Sequence, residues 1–561
     1  MSDLATAPSE GRTRSGASGG SRRRFWIAAA LVAALYAASL NNQWAIRPDS
    51  ATYLAVGRSL AEGRGLTYNG GPAWALPPLV PLLAAACRLL VGPDYWLINA
   101  TMRLFAVGAA LASYALARRL GGGLPDRVRE HLAVGVLLLV GTSARFFGNS
   151  MPVLTDVAFT FWFMLGLYGF VRGRSGHWGW TLAGSLVMVV AVATRYVGIV
   201  LFAGMVLAVL ADFRRPGYAK RALAALAGPA VMAAGGALVM SAAAHGPKSL
   251  TDLVPALLWG PREQWYAVIT GAKARDLAVG LASLPKVVTE TLIDQELWWF
   301  SLVPAALVAV GLIAAVRRRE RLVWVPAVAF VLFLLLVGSA AVAPRYLLPL
   351  LPLLGYLLLR GVWATVTWAK ARGRRTPAPG GVEAAAADRG ARAALVVAVA
   401  VCMAVSLPKI AREVYWMRHP RFYEVYDKGE WRDWVAACAY LRERGRPGDV
   451  VGTPEVSVVH YLSGLRFWAE PFRFEAGTRR EWHRGFAHLE GFPPRVFAEE
   501  VAKTGIRFLA IPTGLPLPSG EGSWSDLAME AIAEVGAFDS PPRRFGNVAV
   551  YERAGPPPAA P

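Results

Sequence analysis

Cysteine is scarce, with only Cys87, Cys402 and Cys438 in 561 residues. They form no CxxC pair and stand at no His/Cys ligand spacing, which excludes a disulfide framework and a zinc site and leaves them as packing residues. Charge is scarce as well, at 17% against roughly 25% in a soluble globular chain. Hydrophobic residues reach 55% and mean hydropathy is +0.39. A purely soluble enzyme, a disordered chain and a fibrous protein are thereby excluded. No internal repeat is visible, and low complexity is confined to the ends and to 371–392.

What is present is a series of apolar runs of membrane-spanning length. Eleven stretches qualify, at 25–41, 97–117, 131–148, 156–171, 179–194, 196–212, 223–244, 299–316, 323–342, 346–362 and 393–408. The segment Pro77–Val91 is apolar but short and carries Pro78, Pro81 and Arg88. It is expected to be a juxtamembrane or re-entrant helix, because counting it as a span would invert every later loop.

The chain carries a net charge of +21, which on a soluble domain would suggest nucleic acid. Its location says otherwise. With a cytoplasmic N-terminus, the inner segments 1–24, 118–131, 172–178, 212–222, 317–321 and 370–392 hold 25 Lys and Arg against 8 acids. Segment 409–561 has 20 of each, and loop 245–297 has 5 basic and 6 acidic residues. Basic loops inside and neutral segments outside follow the positive-inside rule, so the charge marks topology and no nucleic-acid partner is expected. Arg22–Arg24 before Phe25–Leu40 imitates a secretory signal. Because many spans follow, an uncleaved signal anchor in the plasma (inner) membrane is expected.

The expected organisation is therefore a polytopic α-helical membrane protein with about eleven transmembrane helices and a small C-terminal α/β extracytoplasmic domain. A disordered Ser/Gly/Arg-rich cytoplasmic tail covers 1–24, and the membrane domain covers 25–408 with outer loops at 42–96 and 245–298. The α/β domain covers 409–554 and a Pro/Ala tail 555–561. Within the α/β domain a polar helix (Trp431–Arg444), a turn at Arg446–Asp449 and β-like runs at Val450–Thr453, Ile506–Ile511 and Val548–Tyr551 alternate with helical patterns near 494–503 and 525–535. It has no glycine-rich phosphate loop and no GxSxG, so no independent active site is expected there.

Charged residues at the outer membrane boundary are costly and therefore informative. Downstream of Asp49, the residues Tyr53, Leu54, Gly57, Leu60 and Ala61 recur at helical spacing, which predicts a surface helix. Asp49 suits that helix as an N-cap, with Ser50 competing for the role, and equally suits a carboxylate held at the membrane surface before a lipid-borne substrate. Asp156 opens a span at the same outer level, as a helix-initiating acid or as a second site carboxylate. Arg195-Tyr196 and Pro344-Arg345-Tyr346-Leu347-Leu348-Pro349 place guanidiniums at headgroup depth. There they serve either as interfacial anchors or as bidentate phosphate ligands. Lys248, Arg262, Trp265, Tyr266, Lys273 and Glu296 in the second outer loop suit a cover over a site or plain solvation. Mid-span charges are few, with Arg103 and Arg145 near span ends.

The order Asp49-Ser50-x-x-Tyr53-Leu54-x-x-Gly57, Gly63-x-Gly65, Pro77-Pro78-Leu79, Asp156 and Arg345-Tyr346-Leu347-Leu348-Pro349 resembles dolichyl-phosphate-mannose-protein mannosyltransferases and bacterial relatives such as aminoarabinose transferases. These are family 39-type glycosyltransferases of the GT-C fold, and the resemblance spans roughly 25–360. It implies a polyprenyl-phosphate sugar donor, an inverting transfer and an outer-loop Asp as base. Carried over, Asp49 is the base, Asp156 a second catalytic acid, and Arg345, with Arg195, a donor-phosphate contact. Tyr53 and Tyr346 would line the substrate site. No metal ligand set is assigned, although a divalent metal is compatible with the resemblance. The acceptor would be a lipid, a glycan or a protein. Protein mannosyltransferases carry Asp-Glu where this chain has Asp49-Ser50, which weakens transfer to protein Ser/Thr. A lipid-intermediate transporter is the rival from another class, and it would call for mid-bilayer charges and repeat symmetry.

Overall fold

The computed structural model describes residues 18–73, 76–242, 274–294, 298–337, 344–372, 381–426, 430–467, 494–513, 523–539 and 541–553. α1 (Ser18–Ala38) leads to α2 (Pro48–Ala61), the hairpin β1 (Thr67–Tyr68) and β2 (Gly71–Pro72), and α3 (Leu79–Val91). The chain continues through α4 (Trp96–Leu120), α5 (Asp126–Gly141), α6 (Ala144–Ser150) and α7 (Thr155–Arg174). α8 (Gly179–Thr194), α9 (Gly198–Leu210), α10 (Tyr218–Ala242), α11 (Ala274–Ile293) and α12 (Trp298–Arg317) follow. α13 (Arg321–Val337) precedes a 3₁₀ stretch, Pro344–Leu350, then α14 (Leu351–Arg372) and α15 (Gly381–Arg418).

Each of the eleven expected spans overlaps a helix among the described residues, but the helix lengths are uneven. Trp96–Gly123, Pro344–Arg372 and Arg389–Arg418 are each long and apolar enough to cross a membrane, and α5 with α6 adds another if the pair, bent by 51°, is one span. α8 and α9 have 16 and 13 residues. At about 1.5 Å per residue they fall short of a hydrocarbon core of about 30 Å. Ser18 is already helical, so the N-terminal tail is shorter than 1–24, and residues 1–17 lie outside the described residues.

α2 and α3 form a platform beside the bundle. Gly57 sits at their closest approach, where an added Cβ would come within 2.6 Å of Ala84 Cβ. The β1–β2 hairpin turns through Asn69 (φ 52°) and Gly70 (φ 80°), the Asn-Gly pair that a tight left-handed turn requires.

Beyond α15 come α16 (Phe422–Val425), α17 (Glu430–Arg444), β3 (Val450–Gly452), α18 (Val456–Ser463) and β4 (Arg466–Phe467). α19 (Pro494–Ala502), β5 (Phe508–Pro512), α20 (Trp524–Val535), β6 (Arg543–Phe545) and β7 (Val548–Glu552) complete the chain. The strands form one mixed sheet in the order β4-β3-β5-β7-β6, parallel among β4, β3 and β5 and antiparallel beyond. β5 and β7 are apolar on both faces because both are covered. Leu509, Ile511, Ala549 and Tyr551 pack with α19 and α20, while Phe508, Ala510, Val548 and Val550 join the main core. β4, β6 and α18 were not foreseen.

α18 docks on α2. Thr52 Oγ1 and the Tyr68 hydroxyl both reach Ser457 Oγ, at 3.1 and 2.9 Å, and Arg58 Nη1 donates to the Tyr461 carbonyl at 2.9 Å. Asn69 exchanges two hydrogen bonds with the Phe467 backbone. The sheet is thus fastened to the platform that carries Asp49.

Candidate active site

Asp49 is the second residue of α2, not its N-cap. Arg47 holds the cap position in an extended conformation (φ −147°, ψ 142°), and Pro48 opens the helix, where its missing N–H costs nothing. The capping hydroxyl belongs to Ser50. Its Oγ accepts from Arg47 N–H at 3.2 Å and from Trp44 Nε1 at 2.9 Å, and donates to the Arg47 carbonyl at 2.8 Å. Ser50 is fully buried and so faces no acceptor. Relieved of capping, the Asp49 side chain stays 54% exposed.

Asp156 is the second residue of α7 and its carboxylate is 0% exposed. A buried charge needs partners. Arg195, from the turn between α8 and α9, donates Nη1 to Oδ1, and Arg345, from the 3₁₀ stretch, donates Nε to Oδ2 at 3.0 Å. The same Arg345 donates Nη2 to Asp49 Oδ2 at 2.8 Å. A single chain of ion pairs therefore runs Arg195–Asp156–Arg345–Asp49 and joins four separate elements. The 3₁₀ geometry and prolines of Pro344–Leu350 break the regular helix where Arg345 turns toward the cluster.

The two tyrosines flank this chain. Tyr346 is 46% exposed and its ring lies 5.7 Å from Arg195 Cζ, a cation–π contact. Tyr53 stands beside Thr155, and burial, then the Asp49 carboxylate, push its phenol above the ordinary tyrosine range. Arg195 is shifted down by burial first and by the Arg345 charge second. Asp49, Asp156, Arg195, Arg345, Tyr53 and Tyr346 are thus brought to one place. Lys248, Arg262, Trp265, Tyr266, Lys273 and Glu296 lie outside the described residues.

No group of three His, Cys, Asp or Glu side chains suited to a metal ion occurs among the described residues. Both oxygens of Asp156 and one of Asp49 accept from guanidiniums, so a divalent ion between the two acids would have to displace Arg345.

A second charged cluster, unforeseen in the sequence, forms around Asp294. Asp294, at φ 53°, accepts from Arg145 Nη2 at 2.5 Å and from Lys409 Nζ at 3.1 Å. Arg103 is buried and donates Nη1 to the carbonyls of Ser150 at 2.9 Å and Met151 at 3.2 Å, securing the turn before α7. Neither pattern leaves a signal in spacing, because the partners are backbone atoms or residues far apart in the chain.

Comparison with known proteins places this geometry in context. A family profile described as dolichyl-phosphate-mannose-protein mannosyltransferase matches residues 88–221, which include Asp156 and Arg195 but neither Asp49 nor Arg345. ArnT from Cupriavidus metallidurans bound to undecaprenyl phosphate has 15% identity and a TM-score of 0.56, over 95% of this chain and 98% of that one. The archaeal oligosaccharyltransferase AglB from Archaeoglobus fulgidus, in complex with an inhibitory peptide and a dolichol-phosphate, has 13% identity and a TM-score of 0.53, over 88% and 70%. The Archaeoglobus fulgidus oligosaccharyltransferase tethered with an acceptor peptide gives 14% and 0.56, over 95% and 74%. No curated protein matches in sequence. These likenesses show a shared fold, and three helices among the described residues of this chain are long and apolar enough to cross a membrane.

Proposed function

We propose that this protein is a glycosyltransferase that moves a sugar from a polyprenyl-phosphate donor to a lipid, glycan or protein acceptor at the outer face of the membrane, with inversion. The observation that carries it is Arg345, whose guanidinium spans two carboxylates from α2 and α7 at the mouth of the bundle. A guanidinium so placed is matched to a phosphate, and the half-exposed Asp49 beside it is matched to an acceptor proton. The dolichol-phosphate and undecaprenyl phosphate bound in the structural neighbours are ligands of the class proposed here.

The chemistry is one displacement. The acceptor nucleophile attacks the anomeric carbon while Asp49 accepts its proton, and the bond from that carbon to the lipid phosphate oxygen breaks on the opposite face. Polyprenyl phosphate leaves with its growing charge held by Arg345 and Arg195, in a site where a fixed cation acts more strongly than in water. Asp156, fully buried, orients both guanidiniums. Inversion of the anomeric centre follows from a single displacement.

The test uses purified protein in proteoliposomes with a radiolabelled polyprenyl-phosphate sugar and a lipid acceptor extract. Transfer predicts labelled product of inverted configuration and release of unlabelled polyprenyl phosphate in equal amount. Intact labelled donor appearing in the opposite leaflet, with no polyprenyl phosphate released, would identify a transporter instead.

A further inference from the structure

The end of the molecule opposite the reaction cluster carries a third charged site. α7 begins beside Asp156 and ends at Arg174. At about 1.5 Å per residue, these two positions lie about 27 Å apart. Around the far end is a cavity of about 490 Å³ lined by Arg119, Arg174 and Arg215, with Leu120, Val171 and Leu322 as its apolar wall.

The arginines there are concentrated beyond what local neutralisation needs. Asp212 accepts from Arg174 at 2.8 Å and Arg321 at 3.1 Å, and Arg215 Nε stands 3.2 Å from it. Three guanidiniums on one carboxylate leave an excess of two positive charges at one point. Arg119 adds another, held by Ser175 Oγ at 2.8 Å. The helix C-termini that meet here offset part of this, at roughly half a negative charge each. The positive-inside rule accounts for arginines on this face, but not for their convergence on a cavity with an apolar wall. Glu320 is the one acid among the lining residues. It is engaged by the Tyr356 hydroxyl at 3.1 Å and lies 3.7 Å from Arg360, whose fully buried guanidinium has no hydrogen-bond partner among the described residues. Burial pushes the Glu320 carboxyl up, with Arg360 the main opposing influence.

We propose that this cavity binds the phosphate headgroup of an anionic membrane lipid, with the guanidiniums on the phosphate and Leu120, Val171 and Leu322 against the glycerol and first acyl carbons. The apolar wall favours a lipid over a soluble phosphate. Basic pockets between helices at a membrane face hold anionic headgroups in this manner.

Native mass spectrometry and thermal unfolding of the full chain test the assignment. Phosphatidylglycerol is compared with phosphatidylcholine, and inorganic phosphate is added separately to protein in neutral detergent. Phosphatidylglycerol should be retained and should raise Tm, whereas phosphatidylcholine and inorganic phosphate should do neither. R119Q/R215Q should weaken retention roughly thirtyfold, two surface-type cations' worth, with transferase turnover unchanged. Should that pair not fold, R119Q alone carries the test with a proportionately smaller loss. Equal retention of phosphatidylcholine, or undiminished phosphatidylglycerol binding in the variants, would overturn the site. Binding of inorganic phosphate alone would overturn the lipid as its occupant.

Discussion

Arg345 is held from two edges, Nε on Asp156 and Nη2 on Asp49, and this decides what its substitutions should do. A lysine keeps the charge but offers a point donor that cannot satisfy both carboxylates and a phosphate together. Arg345→Lys should therefore raise the apparent donor KM several-fold while the protein stays folded, measured with the labelled donor. An unchanged donor KM would reduce Arg345 to an interfacial anchor. Asp49 allows a cleaner separation, because Ser50 carries the cap and Asp156 still holds Arg345 when Asp49 is neutral. Asp49→Asn should leave Tm within a degree or two and lower turnover by about 10²–10⁴, the usual contribution of a general base. Retention of most activity would move the base elsewhere. The identities of Asp49, Asp156, Arg195 and Arg345 were legible in the sequence from their level at the membrane boundary. The ion pairs that join them were not, since the partners lie up to 296 residues apart. The N-cap was misplaced by two residues because proline after arginine starts the helix earlier than an Asp-Ser pair suggests.

Among the elements, the long helices were legible because apolar length is their signal, and α17, α19, α20, β3, β5 and β7 because apolar runs alternate with turns. β4 and β6 have two and three residues, mostly arginine and phenylalanine, too short and too polar to register. α18 escaped notice as well, yet it is the element that fastens the sheet to α2. His460 lies at its centre, with Nδ1 donating to the Leu465 carbonyl at 2.6 Å and the ring edge-on to Tyr68 at 5.2 Å. Burial lowers its pKa below the ordinary value, and Arg58, Arg64 and Arg466 add to the shift. Below about pH 6.5 the unfolded chain takes up a proton that the folded one refuses, so stability is complete above that pH and declines as pH falls through it. Wild type should thus lose Tm between pH 7 and 5, and His460→Gln, which cannot titrate, should lose less. Identical slopes in the two proteins would remove His460 from the account of this contact.

At the scale of the whole molecule, the Asp49–Arg345–Asp156 cluster and the arginine-lined cavity sit at opposite ends of α7, and the sheet is fastened beside the cluster through α18 and α2. If the loops rich in arginine face the cytoplasm, as the positive-inside rule requires, Asp49 and the sheet share the outer face and the stretch after α4 lies inside. Two positions separate this arrangement from its inverse. Gly122 follows α4 and an added Cβ there meets nothing within 4 Å, so Gly122→Cys is sterically free. Arg495 opens α19 with a side chain 77% exposed. In a background with Cys87, Cys402 and Cys438 changed to alanine, a membrane-impermeant maleimide applied to intact cells should label Arg495→Cys. It should spare Gly122→Cys until the membrane is opened. Labelling of Gly122→Cys from outside would invert the arrangement. Asp49 and the sheet, held together through α2 and α18, would then share the inner face, and the donor lipid would have to be met from the other leaflet.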